Sequence, residues 1–205
     1  MFNRGSDKRK VFLNKDDYRR FLRGMYDFND ANPTLDSRLV STEVRPREKL
    51  VEVFCYCLMP NHFHFMLRQL RNGGITLFMR KLGTGYSMYF NKKYERSGIL
   101  FQGKFKSVHV EDNVYLRYLP HYIHLNPLGL SLPDWPIREL PKYTFNELAR
   151  YPWSSLSEFL DISRRDSVAD IAFLINIYPD GYQSALREWM LDVHQREEFL
   201  SHKLE

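Results

Sequence analysis

The order of hydrophobic periodicities in this 205-residue sequence predicts an α+β fold: one antiparallel sheet, helices on one face of it, and a helical extension at the C-terminal end. Three observations predict it. Residues 50–69 hold two apolar runs parted only by Pro60-Asn61, the pattern of two strands joined by a tight turn. Residues 14–28 and 75–90 flank that pair and carry apolar side chains at helical spacing. Beyond residue 130 the strand-like runs stop and only helical stripes remain.

Each element has a local reason. Residues 1–5 read as a short strand, since only Met1 and Phe2 precede Asn3-Arg4-Gly5. Asn14 can cap a helix with Asp16 and Asp17 in its first turn and Tyr18, Phe21, Leu22, Met25 and Phe28 as its apolar stripe. Residues 31–47, with Pro33 and Pro46, read as an irregular connection. Residues 50–59 and 62–69 are the two strands of the hairpin. Gly73-Gly74 precedes a long helix with Ile75, Phe78, Met79, Leu82, Tyr86, Tyr89 and Phe90 on one stripe. Gly83 and Gly85 weaken that helix by about 1 kcal/mol each relative to alanine, which points to a close backbone approach. Residues 101–111 read as a further strand with Lys104 and Lys106 on one face, and Asp112 can cap a following helix. Pro120 is expected to begin or kink that helix.

The resulting order, β-α-β-β-α-β and then a helix, is the ferredoxin-like split βαβ arrangement. Residues 1–130 form the expected body, and residues 131–205 the extension. The extension starts with Pro133, Pro136 and Pro141. Two helices follow, over residues 167–177 and from 182 to about 200, the second with Ala185, Leu186, Trp189, Met190 and Val193 as its stripe. No internal repeat or low-complexity tract interrupts the chain.

With 43% hydrophobic and 27% charged residues, the chain can bury a core like an ordinary globular protein. Cys55 and Cys57 alternate on one strand, poorly placed to pair, so a reducing cytoplasm is the natural compartment. The N-terminal segment (Arg4, Lys8, Arg9, Lys10) lacks an apolar signal core, and no stretch reaches membrane-spanning length. Residues 1–130 hold 22 Lys and Arg against 12 Asp and Glu, whereas residues 131–205 hold 8 against 13. A basic body with a mildly acidic tail suits a polyanion held by the body alone.

The chemistry concentrates in two places. Strand alternation puts His62 and His64 on one face and Phe63, Phe65 and Leu67 on the other, so both imidazoles aim at one point. An isolated His-x-His is usually a pair of surface or core histidines, but two neutral imidazoles side by side are also half of a divalent-metal site. Downstream, Tyr122-Ile123-His124-Leu125-Asn126-Pro127 puts a phenol and a carboxamide one helical turn apart. The amide oxygen can complete a three-ligand site with the histidines, and the phenol can act as a nucleophile beside it. Asn126 can also simply end its helix before Pro127. His124 lies about 200° round the helix from Tyr122 and off that face. His121, His109 and Glu52 carry no assigned role.

Further motifs stand in order around these two. They are Asn3-Arg4-Gly5, Arg9-Lys10-Val11-Phe12, Asp17-Tyr18-Arg19-Arg20-Phe21-Leu22, Met59-Pro60-Asn61-His62-Phe63-His64 and Phe78-Met79-Arg80-Lys81-Leu82. Ser97-Gly98-Ile99-Leu100-Phe101-Gln102-Gly103-Lys104-Phe105-Lys106 and Tyr151-Pro152-Trp153-Ser154-Ser155 follow. This set resembles the HUH single-tyrosine transposases, in particular the REP-associated tyrosine transposases related to the insertion-sequence-two-hundred group. Lys104 stands where that family commonly has arginine, which keeps the charge and loses the bidentate fork.

The resemblance implies a ferredoxin-like sheet, Tyr122 as nucleophile, and His62, His64 and Asn126 holding Mg²⁺ or Mn²⁺. It implies single-stranded DNA beside a hairpin as substrate, a nucleoid-associated cytoplasmic location, and a monomer or homodimer. Arg4, Arg9, Lys10, Arg80, Lys81, Lys104 and Lys106 are the expected DNA contacts. Aromatics interleaved with lysines over residues 101–106 suit stacking and phosphate contact. Two other readings compete. A structural zinc module would use Cys55, Cys57, His62 and His64, at a spacing poor for zinc knuckles. A non-catalytic nucleic-acid-binding module on the same topology would carry a Gly-Phe/Tyr-Gly/Ala-Phe signature, which is absent.

Overall fold

The computed structural model of the chain describes residues 1–32, 46–130, 144–160 and 168–192. Its centre is a three-stranded antiparallel sheet of order β1-β3-β2, built from β1 (Phe2–Arg4), β2 (Val51–Met59) and β3 (His62–Gln69). The β2–β3 hairpin turns at Pro60-Asn61 and pairs Met59 with His62 and Cys57 with His64. Between Val53 and Cys55 the register shifts by a bulge. The extra residue reverses the alternation, so Cys57 and Met59 share the face of His64 and His62.

Helices cover both faces of this sheet, not one. On one side α1 (Lys15–Asp27) and α2 (Gly74–Lys93) pack Phe21, Met25, Phe78, Leu82 and Tyr86 against Val53, Tyr56, Leu58, Phe63 and Phe65. On the other, Phe54, Cys55, Cys57 and Met66 meet Ile123 and Leu125 of α3 (Asn113–Leu125). The same cluster takes in Leu148, Leu156, Phe159, Leu174, Leu186 and Trp189. These come from α4 (Thr144–Ala149), α5 (Leu156–Leu160), α6 (Ile171–Ile175) and α7 (Tyr182–Leu191). The unbroken apolar run of β2 is the cause, because a strand greasy on both sides needs cover on both. The extension past residue 130 thus shares a core with the body.

Residues 101–111 do not form the expected strand. Two isolated bridges, Phe2↔Lys106 and Gly5↔Phe101, and a bond from Gln102 N–H to Arg4 O at 2.7 Å hold the segment along β1 without a continuous ladder. Gly103, at φ 89°, turns the chain between them and breaks the ladder. At the opposite edge, Leu58 N–H donates to Trp153 O at 2.9 Å and Ser155 N–H to Tyr56 O at 3.0 Å. Irregular segments therefore cover both outer edges of the sheet.

Helix ends follow the sequence. The Asn14 side chain accepts from Asp16 and Asp17 N–H, and Asp17 returns bonds to Leu13 and Asn14 N–H, a capping box. Fully buried, Asp17 also takes Lys93 Nζ and Tyr94 Oη at the far end of α2, each at 2.7 Å. A Cβ on Gly85 would meet the Phe28 ring at 2.5 Å, the close approach expected there, whereas one on Gly83 would meet nothing within 4 Å. Asp112 caps α3, which begins at Asn113 and runs through Pro120 without starting there. Of the two expected C-terminal helices, the first is reduced to α6, and α7 has its C-cap at Asp192. Pro33, Pro133, Pro136, Pro141 and Val193 lie outside the described residues. Among those described, no helix is long and apolar enough to cross a membrane.

Candidate active site

β3 begins at His62, so strand alternation sends His62 and His64 to the face opposite Phe63 and Phe65. β1 supplies the neighbours, with Arg4 paired to His62 and Phe2 to His64. Phe2 stacks on the His64 ring at 5.5 Å and 23°. The two imidazoles stand perpendicular, 5.1 Å apart between centroids. Asn61 Nδ2 donates to Lys8 O at 3.3 Å, which fixes the amide so that its oxygen faces His62 Nδ1 at 2.6 Å. His62 Nδ1 therefore carries the proton, and Nε2 keeps the lone pair that a metal would use.

α3 brings the second half. Tyr122 sits edge-on to His64, 5.6 Å between centroids and 87° between planes. One turn on, Asn126 Nδ2 donates to the Tyr122 carbonyl at 2.9 Å. That bond closes the helix end and commits the amide nitrogen, so Asn126 caps and still has Oδ1 to offer. The nearby Asn126 amide works against the burial that lowers the His62 pKa. The four residues line one cleft of about 650 Å³.

Burial sets the protonation states. It pushes His62 down to about 4, with the positive charge of Arg4 adding to the shift, and holds His64 well below its ordinary value. Both rings are neutral at pH 7, as ligands must be. Burial pushes the Tyr122 phenol up to about 12, opposed by Asn126 and Arg4, so it rests protonated. Two neutral imidazole nitrogens and one amide oxygen suit a divalent cation and leave its charge uncancelled.

Of the expected DNA contacts, Arg4 and Lys10 line this cleft. Lys106 lies over the Phe2 ring at 5.6 Å, beside it. Arg9 is turned to Asp7 at 3.1 Å. Arg80 and Lys104 line a separate cleft of about 930 Å³ with Phe63 and Phe101, on the α2 side of the sheet. The turn at Gly103 thus parts Lys104 from Lys106, which a regular strand would have kept on one face. Lys81 Nζ donates to the carbonyls of Asp30 and Asn32 at 2.6 and 3.0 Å and pins α2 to that loop. Sequence reasoning missed Phe2 and Lys8 as cleft residues. The two-residue step from Arg4 to Phe2 along one strand was the available signal for the first.

Two of the remaining described histidines are structural. His124 is fully buried, with Nδ1 on Tyr182 Oη and Nε2 on Ser155 Oγ at 2.8 Å. His121 is buried among Tyr178, Tyr182 and Trp189. His109 is exposed, and Glu52 pairs with Arg68. Cys57 lies opposite His64, yet both thiols are fully buried and pushed up by desolvation. Among the described residues no group of three or more His, Cys, Asp or Glu could hold a metal, so the four-ligand zinc arrangement does not form.

Residues 40–126 match the family model described as "Transposase IS200 like". The match spans β2, β3, α2 and α3 and encloses His62, His64, Tyr122 and Asn126. No curated protein and no solved structure matches the chain.

Proposed function

We propose, from the match of residues 40–126 to the model of IS200-like transposases, that the chain is a transposase of that kind: a metal-assisted, single-tyrosine nuclease and strand-transferase acting on single-stranded DNA. The observation that carries this reading is Tyr122 packed edge-on against His64, with His62 and Asn126 in the same cleft of one chain. The frame is read as ferredoxin-like, with residues 101–106 in place of a fourth strand along β1. The substrate is a strand presented beside a hairpin.

His62, His64 and Asn126 would hold Mg²⁺ or Mn²⁺, which when bound polarises the phosphate and offsets charge on its oxygens. Asn61 keeps His62 in the required tautomer. Tyr122 gives up its proton and attacks phosphorus, the 3′-oxygen leaves, and a 5′-phosphotyrosine forms. A free 3′-hydroxyl can later attack that linkage, so rejoining needs no nucleotide cofactor. Arg4, Lys8 and Lys10 draw the polyanion to the cleft mouth.

Thermal melts with and without Mn²⁺ test the metal half. The native protein should be stabilised by the ion, since a ligand bound only to the folded state raises its stability. His62→Ala and His64→Ala should each fold, lose that shift and lose cleavage. A shift retained in either variant removes that histidine from the site.

A further inference from the structure

Arg4 lines the cleft, its positive charge bears on His62, His64 and Tyr122, and its surroundings are unusual. It stands opposite His62 in the β1–β3 pairing, so its side chain rises on the face of both histidines and Tyr122. It is partly buried, yet its guanidinium has no hydrogen bond or ion pair among the described residues, and none of those lining the cleft is a carboxylate. A partly buried guanidinium without a counter-ion is open to a bound anion. Arg9, two turns of chain away, has its carboxylate in Asp7.

The backbone around Arg4 is fixed on both sides. Asn3 Oδ1 accepts the Arg4 N–H at 2.9 Å, while Asn3 Nδ2 reaches Gly103 O at 3.2 Å. Gly5 N–H donates to Asn61 O at 2.8 Å, in the same turn that orients His62. A Cβ on Gly5 would meet Arg9 O at 2.3 Å, so only glycine lets the following strap fold down over the turn. Asn3-Arg4-Gly5 thus fixes the backbone from which the Arg4 side chain rises beside the histidines. A planar guanidinium with several donors suits charge stabilisation on phosphate oxygens better than a point-charge lysine.

We infer that Arg4 is a catalytic residue whose guanidinium grips a non-bridging oxygen of the scissile phosphate as Tyr122 attacks. The inference rests on the proposed tyrosine attack. In that step the Tyr122 Oη–P bond forms with the pair left when the phenol proton passes to solvent. The P–O3′ bond breaks, and the leaving oxygen keeps its pair and takes a proton from water. The phosphorane carries one more negative charge than the diester, and Arg4 meets it from the β1 side.

The test compares single-turnover adduct formation at saturating DNA for the native protein, Arg4→Ala and Arg4→Lys. Two single-stranded oligonucleotides are used, one with an ordinary diester at the cleaved position and one with a methylphosphonate there, which removes the oxygen charge. On the diester, Arg4→Ala should slow adduct formation about 100-fold or more, with DNA affinity changed only a few-fold. On the methylphosphonate, the gap between native and variant should shrink at least tenfold. Arg4→Lys, which keeps the charge and the fold, should fall between the two. An unchanged saturating rate, or an equal loss on both oligonucleotides, overturns the inference while leaving Tyr122 attack standing. A native protein that forms no adduct on the diester overturns both.

Discussion

Asn126 ends its helix with one half of its side chain and leaves the other half free for the proposed second task. Its nitrogen closes the end of α3 on the Tyr122 carbonyl, and its oxygen is left for the cleft. The helix-ending bond therefore leaves room for the proposed ligand role. Asn126→Asp keeps an oxygen and adds charge, so Mn²⁺ titration should show equal or tighter binding. Asn126→Ala should bind Mn²⁺ more weakly by about 1–3 kcal/mol, the range for a lost polar partner. Equal affinity in the alanine variant and the native protein would leave only the cap. At this scale the sequence was legible where strict periodicity rules: His62 and His64 at period two, Tyr122 and Asn126 at one helical turn. It was silent on Lys8 and on Asn61 as the orienter of His62, because a folded strap brings those two together. The isolation of Arg4 was hidden too, since nothing in a sequence says which charges find partners.

At the scale of elements, caps read clearly and ladders did not. Asn14 and Asp112 cap α1 and α3 as their sequence positions suggest. The strand expected over residues 101–111 fails at Gly103, and the β2 bulge at Val53/Cys55 has no local signature. Both depend on which partner strand is present, not on the segment alone. The element junction most open to test is Asp17, which ties the start of α1 to the end of α2. Burial pulls its pKa upward, but bonds from Lys93, Tyr94, Leu13 and Asn14 outweigh that and hold it below the usual carboxylate value. A depressed carboxylate stabilises the fold above its unfolded pKa of about 3.9, and the benefit fades as pH drops through the lower folded value. Asp17→Asn should cost about 3 kcal/mol at pH 7, the low end for a broken buried pair, since Lys93 keeps some solvent. Urea midpoints should show the gap to the native protein beginning to narrow as the pH falls below about 3.9. A gap that stays constant with pH would show the carboxylate charge to be irrelevant.

The whole molecule is a thin sheet clothed on both faces. α1 and α2 brace the back of the hairpin, while α3 and the C-terminal helices close the front beside the cleft. The hairpin and the order of α1, α2 and α3 were within reach of the sequence; the strand count was not, since the sheet has three strands where four were expected. The second layer was not, because the apolar run of β2 suits one buried face or two. His124 ties α3 to the C-terminal elements of the front layer by bonding Ser155 and Tyr182 at once. Burial pushes it and His121 down to about 3. Unfolded histidines titrate near 6.5, so the unfolded chain takes up protons first. Stability should be full above about pH 6.5 and fall steadily as the pH drops toward 3. Urea midpoints should decline between pH 7 and 5, and His124→Gln should decline less steeply from a lower start. Parallel slopes would remove His124 from the acid response.

The central claim is that one tyrosine of this chain becomes covalently joined to DNA. The direct measurement incubates the protein with a pool of single-stranded hairpin oligonucleotides and Mg²⁺ or Mn²⁺, denatures it, digests it and identifies the modified peptide by mass. The account predicts a 5′-phosphate linkage on the peptide bearing Tyr122 and a free 3′-hydroxyl on the released fragment. Tyr122→Phe should still bind the DNA and yield no adduct. An adduct that persists in Tyr122→Phe, one mapped to Tyr115 or Tyr118, or none from the native protein would contradict it.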